Sequence, residues 1–445
     1  MSDSRLLPPV PASPPRTPVV VTAGEPAAMI SLQEHLLERA IEAGASDLHI
    51  EPFPDRVRLR IRIDGWLYEL DPLPSWMHAA LVSRFKVMAA MDVTERRRPQ
   101  DGRHLFHSAT GVDVDLRVAT TATQHGEKVT VRLLPRSRHP PDLNDLGLDS
   151  ERLARIEDFI AQPCGLILAA GPTGAGKTTT LHALLRRIDA VGRSVVTLED
   201  PIEYTLPNAA QIPVRPSIGV DFAAALRAVL RHDPDVILLG EIRDEETARV
   251  AVRSAATGHL VLSSVHTNNA AESVFRLLEL GVPGYLVATA LTGVISQRLV
   301  RRLCRRCRRR RTPAAEQATR MGLAPPAAGD QLFENVGCNS CRGGFDGRLG
   351  IFETLTVEPR LRRLLGTGHD CLGLEREALE SGALLPLLAS ADAVWRRGDT
   401  TIEELARVVP SASPGFSTGD TVSERRVSRT RTRAARDPAP EPRPR

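Results

Sequence analysis

Nine consecutive residues carry the first chemistry in this chain: Gly171, Pro172, Thr173, Gly174, Ala175, Gly176, Lys177, Thr178 and Thr179. Gly171, Gly176, Lys177 and Thr178 have the spacing G-x-x-x-x-G-K-[ST], in which the missing side chains let backbone N–H groups close around an anion. Lys177 can reach the terminal phosphates of a nucleotide as a point charge, and Thr178 can offer its hydroxyl to Mg2+. The following helix turns its positive end toward the same place. An ordinary glycine-rich turn is the competing reading. The flanks weigh against it, since "GLILAAG" suits a buried strand before the loop and "TTTLHALLRRI" a helix after it.

Phosphate binding serves a switch, a kinase or a motor equally, so the acidic groups decide. In "DPDVILLGEIRD", residues 233–244, the apolar run reads as a buried strand and Glu241 follows its end. Ligands of such sheets bind at the carboxyl ends of strands, where a carboxylate can accept a hydrogen bond from attacking water. That predicts hydrolysis; a glutamate capping the next turn is the alternative. "VVTLEDPIEY", 195–204, brings Glu199, Asp200 and Glu203 to a strand end, and "GHLVLSSVHTNNA", 258–270, brings His266. Spacing alone leaves His266 equally open as a structural donor or a catalytic group.

A second constellation is made of thiols. Cys304 and Cys307 in "CRRC", with Cys338 and Cys341 in "CNSC", supply four thiolates, enough to fill every position of a structural zinc. A redox pair or disulfides are the alternative, disfavoured without a secretory signal. Cys164 and Cys371 are isolated and read as small apolar fillers. The arginines of "RRLCRRCRRRR" raise nucleic acid as a partner, but interleaved aromatics and a recognition helix are missing. Lipid headgroups or an acidic partner fit that run equally well.

The elements that must position these groups are legible in outline. A chain of 445 residues suits two or three domains. No run has the length of a transmembrane helix and no signal peptide is evident, so a cytosolic protein is expected. In "SLQEHLLERAIEAG", Ser31 and Glu34 predict a capping box, Leu36, Leu37, Ala40 and Ile41 one apolar face, and Gly44 a stop. Alternating "VRLRIRI", "VDVDLRV" and "KVTVRLL" predict half-buried strands, with Asp64-Gly65 a hairpin turn and with Arg117 and Arg132 on the polar face. A solvated face pairing these arginines with Asp113, Asp115 or Glu127 is the simplest reading of that pattern. "PRSRHPPDLND" reads as a linker. The first thirty residues are Pro-rich and expected to be disordered. Residues 411–445 hold eight arginines and four acids, so 8 − 4 = +4 equals the net charge of the chain, and such a tail suits an anionic membrane.

Taken together the motifs resemble the ATPases of type II secretion and type IV pilus assembly. The glycine loop, "TLEDPIEY", "ILLGEIRD" and "TGHLVLSSVHT" occur in that family's order, and the match runs from about Ser31 to about Val409 through "SDLHIEP", "QDGR", "DLRV" and "GEKVTVRLL". The resemblance implies an α/β fold: a RecA-like P-loop NTPase domain preceded by a smaller α+β domain, with a tetracysteine zinc module and a helical C-terminal region. The implied map is 1–30 disordered, 31–135 smaller domain, 136–145 linker, 146–300 ATPase core, 301–350 zinc module, 351–410 helical region and 411–445 basic tail. It also implies ATP between the two domains of a homo-hexamer. Glu241 would polarise water, Glu199 help hold hydrated Mg2+, His266 sense the terminal phosphate, and Arg103 and Arg117 reach the phosphates. The implied partner is an inner-membrane platform protein, with the chain cytoplasmic and peripherally attached. The metal-bearing insert resembles the assembly and secretion branch rather than retraction ATPases. Members commonly carry a further N-terminal domain for docking, and here about thirty poorly patterned residues precede Ser31. The alternative function is a RecA-like motor that translocates nucleic acid in DNA uptake or transfer.

Overall fold

The computed structural model describes residues 26–135, 139–188, 190–311, 315–327, 329–367 and 370–409. Most of the Pro-rich start, residues 136–138 of the linker and the basic tail lie outside the described residues.

The first half is a layer of helix on an antiparallel sheet. Helix α1 (Pro26–Glu42) leads into strands β1 (Asp47–Pro52), β2 (Arg56–Ile63), β3 (Trp66–Glu69) and β4 (Leu73–Pro74). Helix α2 (His78–Met88) and strands β5 (Gln100–His107), β6 (Asp113–Thr123) and β7 (Gly126–Pro135) follow. The order is β3-β2-β1-β7-β6-β5, with β4 against β2. Period-two alternation sends Val57, Leu59, Ile61 and Ile63 into the core beneath the helices and leaves the arginines between them on the other face. Asp64 and Gly65 both have positive φ, as the expected hairpin requires. The capping box is not formed: Ser31 lies inside α1, because buried Met29 and Leu32 continue the apolar face of Leu36, Leu37 and Ala40 and carry the helix back to Pro26.

The second half is a mainly parallel sheet covered on both faces. It comprises α3 (Ser150–Ile160), β8 (Gly165–Ala170), α4 (Lys177–Arg187), β9 (Val195–Glu199), β10 (Ala210–Pro213), α5 (Phe222–Val229), β11 (Val236–Leu239), α6 (Glu245–Ala256), β12 (Leu260–Val265), α7 (Ala270–Glu279), α8 (Gly284–Ala290) and β13 (Leu291–Leu303). After them come β14 (Arg309–Arg310), α9 (Ala315–Arg320), β15 (Phe333–Glu334), β16 (Phe345–Thr356), α10 (Pro359–Thr367), α11 (Cys371–Ser381), β17 (Leu384–Leu385), α12 (Leu387–Arg396) and α13 (Ile402–Val408). The order is β10-β9-β11-β12-β8-β13-β16-β17, parallel as far as β13 and antiparallel beyond. Strands β8, β11 and β12 are buried throughout, which explains the apolar runs of β8 and β11 and leaves Ser263 and Ser264 as buried polar residues of β12.

Two expectations change here. Residues 351–410 are not simply helical: their first residues belong to β16, a long strand that pairs with β13 and completes the large sheet. Within the expected linker, Leu143 is fully buried in the second core, so the segment is docked before α3 begins. The four cysteines sit on an excursion, 304–344, that leaves β13 and returns into β16. At its base the large sheet meets the first half, where Arg301 at the end of β13 lies 4.3 Å from the Trp66 ring and Arg342 of the excursion donates to Ala43 O, just after α1, at 2.6 Å.

Candidate nucleotide site and metal centre

The glycine loop lies between β8 and α4, at the carboxyl edge of the parallel strands. Gly171 and Gly176 have φ of 144° and 89°, and a Cβ on Gly171 would stand 2.7 Å from Gln297 O. The loop is therefore closed to side chains by conformation and by contact. Lys177 is buried; its Nζ donates to Gly171 O at 2.7 Å and Pro172 O at 3.2 Å. Burial pushes its pKa down to about 8, Glu241 opposing and Arg298 adding to the shift.

Lys177, His266 and Glu241 form a line across three strand ends. Lys177 Nζ is 3.4 Å from His266 Nδ1, and His266 Nε2 is 3.6 Å from Glu241 Oε2. An ammonium can only donate, so Nδ1 accepts and the ring's N–H faces the carboxylate. Burial, and then Lys177, lower the His266 pKa. Arg243, absent from the sequence reading, holds Glu241 Oε2 at 2.6 Å.

Glu199, the last residue of β9, is buried and held from three sides. Thr197 Oγ1 donates to Oε1 at 2.6 Å, Gln211 Nε2 donates to Oε1 at 3.1 Å, and His182 Nε2 approaches Oε2 at 3.1 Å. Thr179 Oγ1 meets Tyr204 OH at 2.9 Å. Thr178 stands in the first turn of α4, with its carbonyl 2.9 Å from His182 Nδ1. Burial raises the Glu203 pKa.

Across from this edge the small sheet presents a row of arginines. Arg103, Arg117 and Arg132 are mutually opposed on β5, β6 and β7. Arg132 is taken by Asp47 at 3.2 Å and Arg103 stands 3.9 Å from Asp200 of the large sheet. Arg117 is different: its Nε and one terminal nitrogen are buried without a hydrogen-bond partner, and burial followed by Arg103 lowers its pKa. Of the carboxylates that a solvated face would offer, Asp113 pairs with His107 and Glu127 with Lys86, while Asp115 acts on Arg117 only as a nearby charge. A cleft of about 570 Å³ runs between the sheets, lined by Arg103, Asp115, Glu199, Asp200 and Glu203.

Two further residues support the loop. Gln297 donates to Ala175 O at 2.6 Å, and Arg298 donates to Asn268 O at 2.7 Å, beyond His266. A polar pair inside the apolar run of β13 was the available signal.

The sulfur atoms of Cys304, Cys307, Cys338 and Cys341 lie within 4.8 Å of one another, with Cys307 and Cys338 each 3.6 Å from Cys341. Zn–S bonds of 2.3 Å in a tetrahedron put sulfurs about 3.8 Å apart, so the group fits that geometry. Among the described residues no helix is long and apolar enough to cross a membrane.

The family description "Type II/IV secretion system protein" matches residues 22–407. Type II secretion system protein HxcR of Pseudomonas aeruginosa is 43% identical over 387 residues, covering 87% of this chain and 78% of its own. The type IV pilus assembly ATPase PilB of Myxococcus xanthus is 41% identical over 386 residues, covering 86% and 68%. The crystal structure of the pilus retraction motor PilT with bound ADP superposes with a TM-score of 0.56 at 25% identity, covering 85% of this chain and 97% of that one. With its glycine loop, facing carboxylates and α/β sheet in the arrangement described, this chain belongs to the type II/IV secretion system protein family.

Proposed function

We propose that the chain is an ATP-hydrolysing motor that works as a homo-hexamer in the cytoplasm and powers type II secretion or type IV pilus or pseudopilus assembly through an inner-membrane platform protein. The observation that carries this reading is the line from Lys177 through His266 to Glu241, beside a phosphate loop, in a chain of this family. The large sheet is read as a RecA-like motor core following a smaller domain at 31–135, with the basic tail as a membrane contact.

ATP fits the loop, whose glycines leave backbone N–H groups open to phosphate. Hard oxygen donors at Thr178 and Glu199 would help hold hydrated Mg2+, which would neutralise charge on the phosphates. Lys177 moves from its loop carbonyls to the terminal phosphates. Glu241 orients water, His266 stands beside the terminal phosphate, and Arg103 and Arg117 approach from the small sheet. The four thiolates suit structural zinc, with no position left for water.

The test is ATP turnover by wild type and Glu241→Gln, each with and without single-stranded DNA. A rate lost in the variant by about two to three orders of magnitude and indifferent to DNA supports the motor. Equal turnover in the two proteins overturns the role of Glu241, and strong stimulation by DNA makes a nucleic-acid motor the better account.

A further inference from the structure

His182 is fully buried on the inner face of α4, one turn after Thr178. A histidine so placed needs partners for both ring nitrogens: Nδ1 has a hydrogen bond, and Nε2 has a carboxylate at ion-pair distance. Nδ1 stands 2.9 Å from Thr178 O, which can only accept, so Nδ1 is the donor there. Nε2 lies 3.1 Å from Glu199 Oε2, outside hydrogen-bond alignment, so with Nδ1 already protonated the two attract as an ion pair when Nε2 carries a proton as well. Tyr204 packs its ring against the imidazole at 5.1 Å and closes the cage with its hydroxyl on Thr179.

We infer that His182 is a positioning residue for ATP turnover: it ties the Glu199 carboxylate to the helix that carries Thr178, so that the two oxygens expected around Mg2+ keep a fixed separation. Thr197 and Gln211 hold only Oε1 of Glu199. Oε2 lies at ion-pair distance from His182, so the imidazole adds a second hold on the carboxylate beside the hydrogen bonds to Oε1. The ring reaches both ends of the site at once, through the Thr178 carbonyl and through Glu199. Partners of this kind, one shell out from a metal, commonly govern affinity or rate by about 10- to 100-fold.

The inference rests on the reading of Glu199 as a holder of hydrated Mg2+, and the test separates the two. Nucleotide binding is titrated with a fluorescent ADP over a range of Mg2+ concentrations, alongside kcat and KM for ATP, in the full chain. In His182→Gln the amide nitrogen takes the place of Nε2 and can reach Glu199; in His182→Asn it takes the place of Nδ1 and cannot. His182→Leu removes both contacts. We expect His182→Asn and His182→Leu to need at least about tenfold more Mg2+ for half-maximal effect and to lose kcat with little change in KM, and His182→Gln to stay within about threefold of wild type. Glu199→Gln should show the Mg2+ defect whatever happens at position 182. Equal Mg2+ dependence in the folded Gln and Asn variants overturns the positioning role, even if Leu fails to fold. A normal Mg2+ response in Glu199→Gln overturns the reading of Glu199 itself.

Discussion

Arg103 and Arg117 stand directly opposite each other on neighbouring strands, and Arg103 lines the cleft, 3.9 Å from Asp200. Like charges directly opposed across a sheet cost stability, and two buried donors of Arg117 have no hydrogen-bond partner among the described residues to offset that cost. The pair is better explained as a receptor for an anion than as a structural feature. Arg117→Leu should therefore leave the melting temperature unchanged or slightly raised, while turnover falls by at least about tenfold. A thermal melt and a rate assay on the same sample check both; unchanged turnover in Arg103→Ala and Arg117→Leu returns them to the sheet face.

Lys177 predicts a pH signature. Its pKa is about 8, lowered by burial, and phosphate beside it must raise that value. Nucleotide binding should then take up a proton, with affinity falling up to about tenfold per pH unit above 8. Stability of the nucleotide-free protein runs the other way. Between 8 and the ordinary 10.5 the unfolded lysine holds more proton than the folded one, so unfolding free energy rises with pH in that window. Calorimetry of ADP binding in buffers of different ionisation enthalpy measures the uptake; none near pH 8.5 would remove the predicted linkage.

His266 lies between the loop lysine and Glu241. His266→Ala should lower kcat by roughly 10- to 100-fold with nucleotide affinity within about threefold, because its contact matters most when charge develops on the terminal phosphate. A variant that loses affinity and rate in equal proportion would instead mark His266 as a binding group.

Four thiolates at tetrahedral spacing predict a single zinc per chain by elemental analysis. Cys304→Ser should lose the metal and lower the melting temperature, and a chelator should do the same to wild type. ATP binding by the loop should persist, since the thiols lie on the excursion beyond the sheet. Full zinc content in Cys304→Ser would exclude that ligand set.

Much of the site was legible because each group follows a short, fully buried strand. Gly171, Glu241 and His266 all stand just after such strands, and parallel pairing brings them to one edge. Arg117 was readable as polar-face but not as unpaired, since that depends on which carboxylates its neighbours take. His182 had no local signature; its meaning comes from Glu199, brought to it by packing of β9 near α4. The start of α1 was misplaced because Ser31 satisfies a capping rule that burial of Met29 overrides. The long strand β16 was folded into a helical region because its partner β13 is separated from it by the cysteine excursion.

Strand β13 runs for 13 residues, with Gln297 touching the phosphate loop and Leu303 leading into the first cysteine. At the usual rise per residue, the cysteines stand about 23 Å from Gln297 along that strand. The strand pairs with β8 as far as Ser296 and with β16 from Gly293 to Leu303, so beyond Gln297 it is one strand of a two-stranded arm whose inner end, the natural pivot, lies at the phosphate loop. A tilt of about 10° at the pivot would carry its tip through about 4 Å over that length. The four-cysteine group then sits at the far end of that arm, where a bound metal would make it a rigid end-piece.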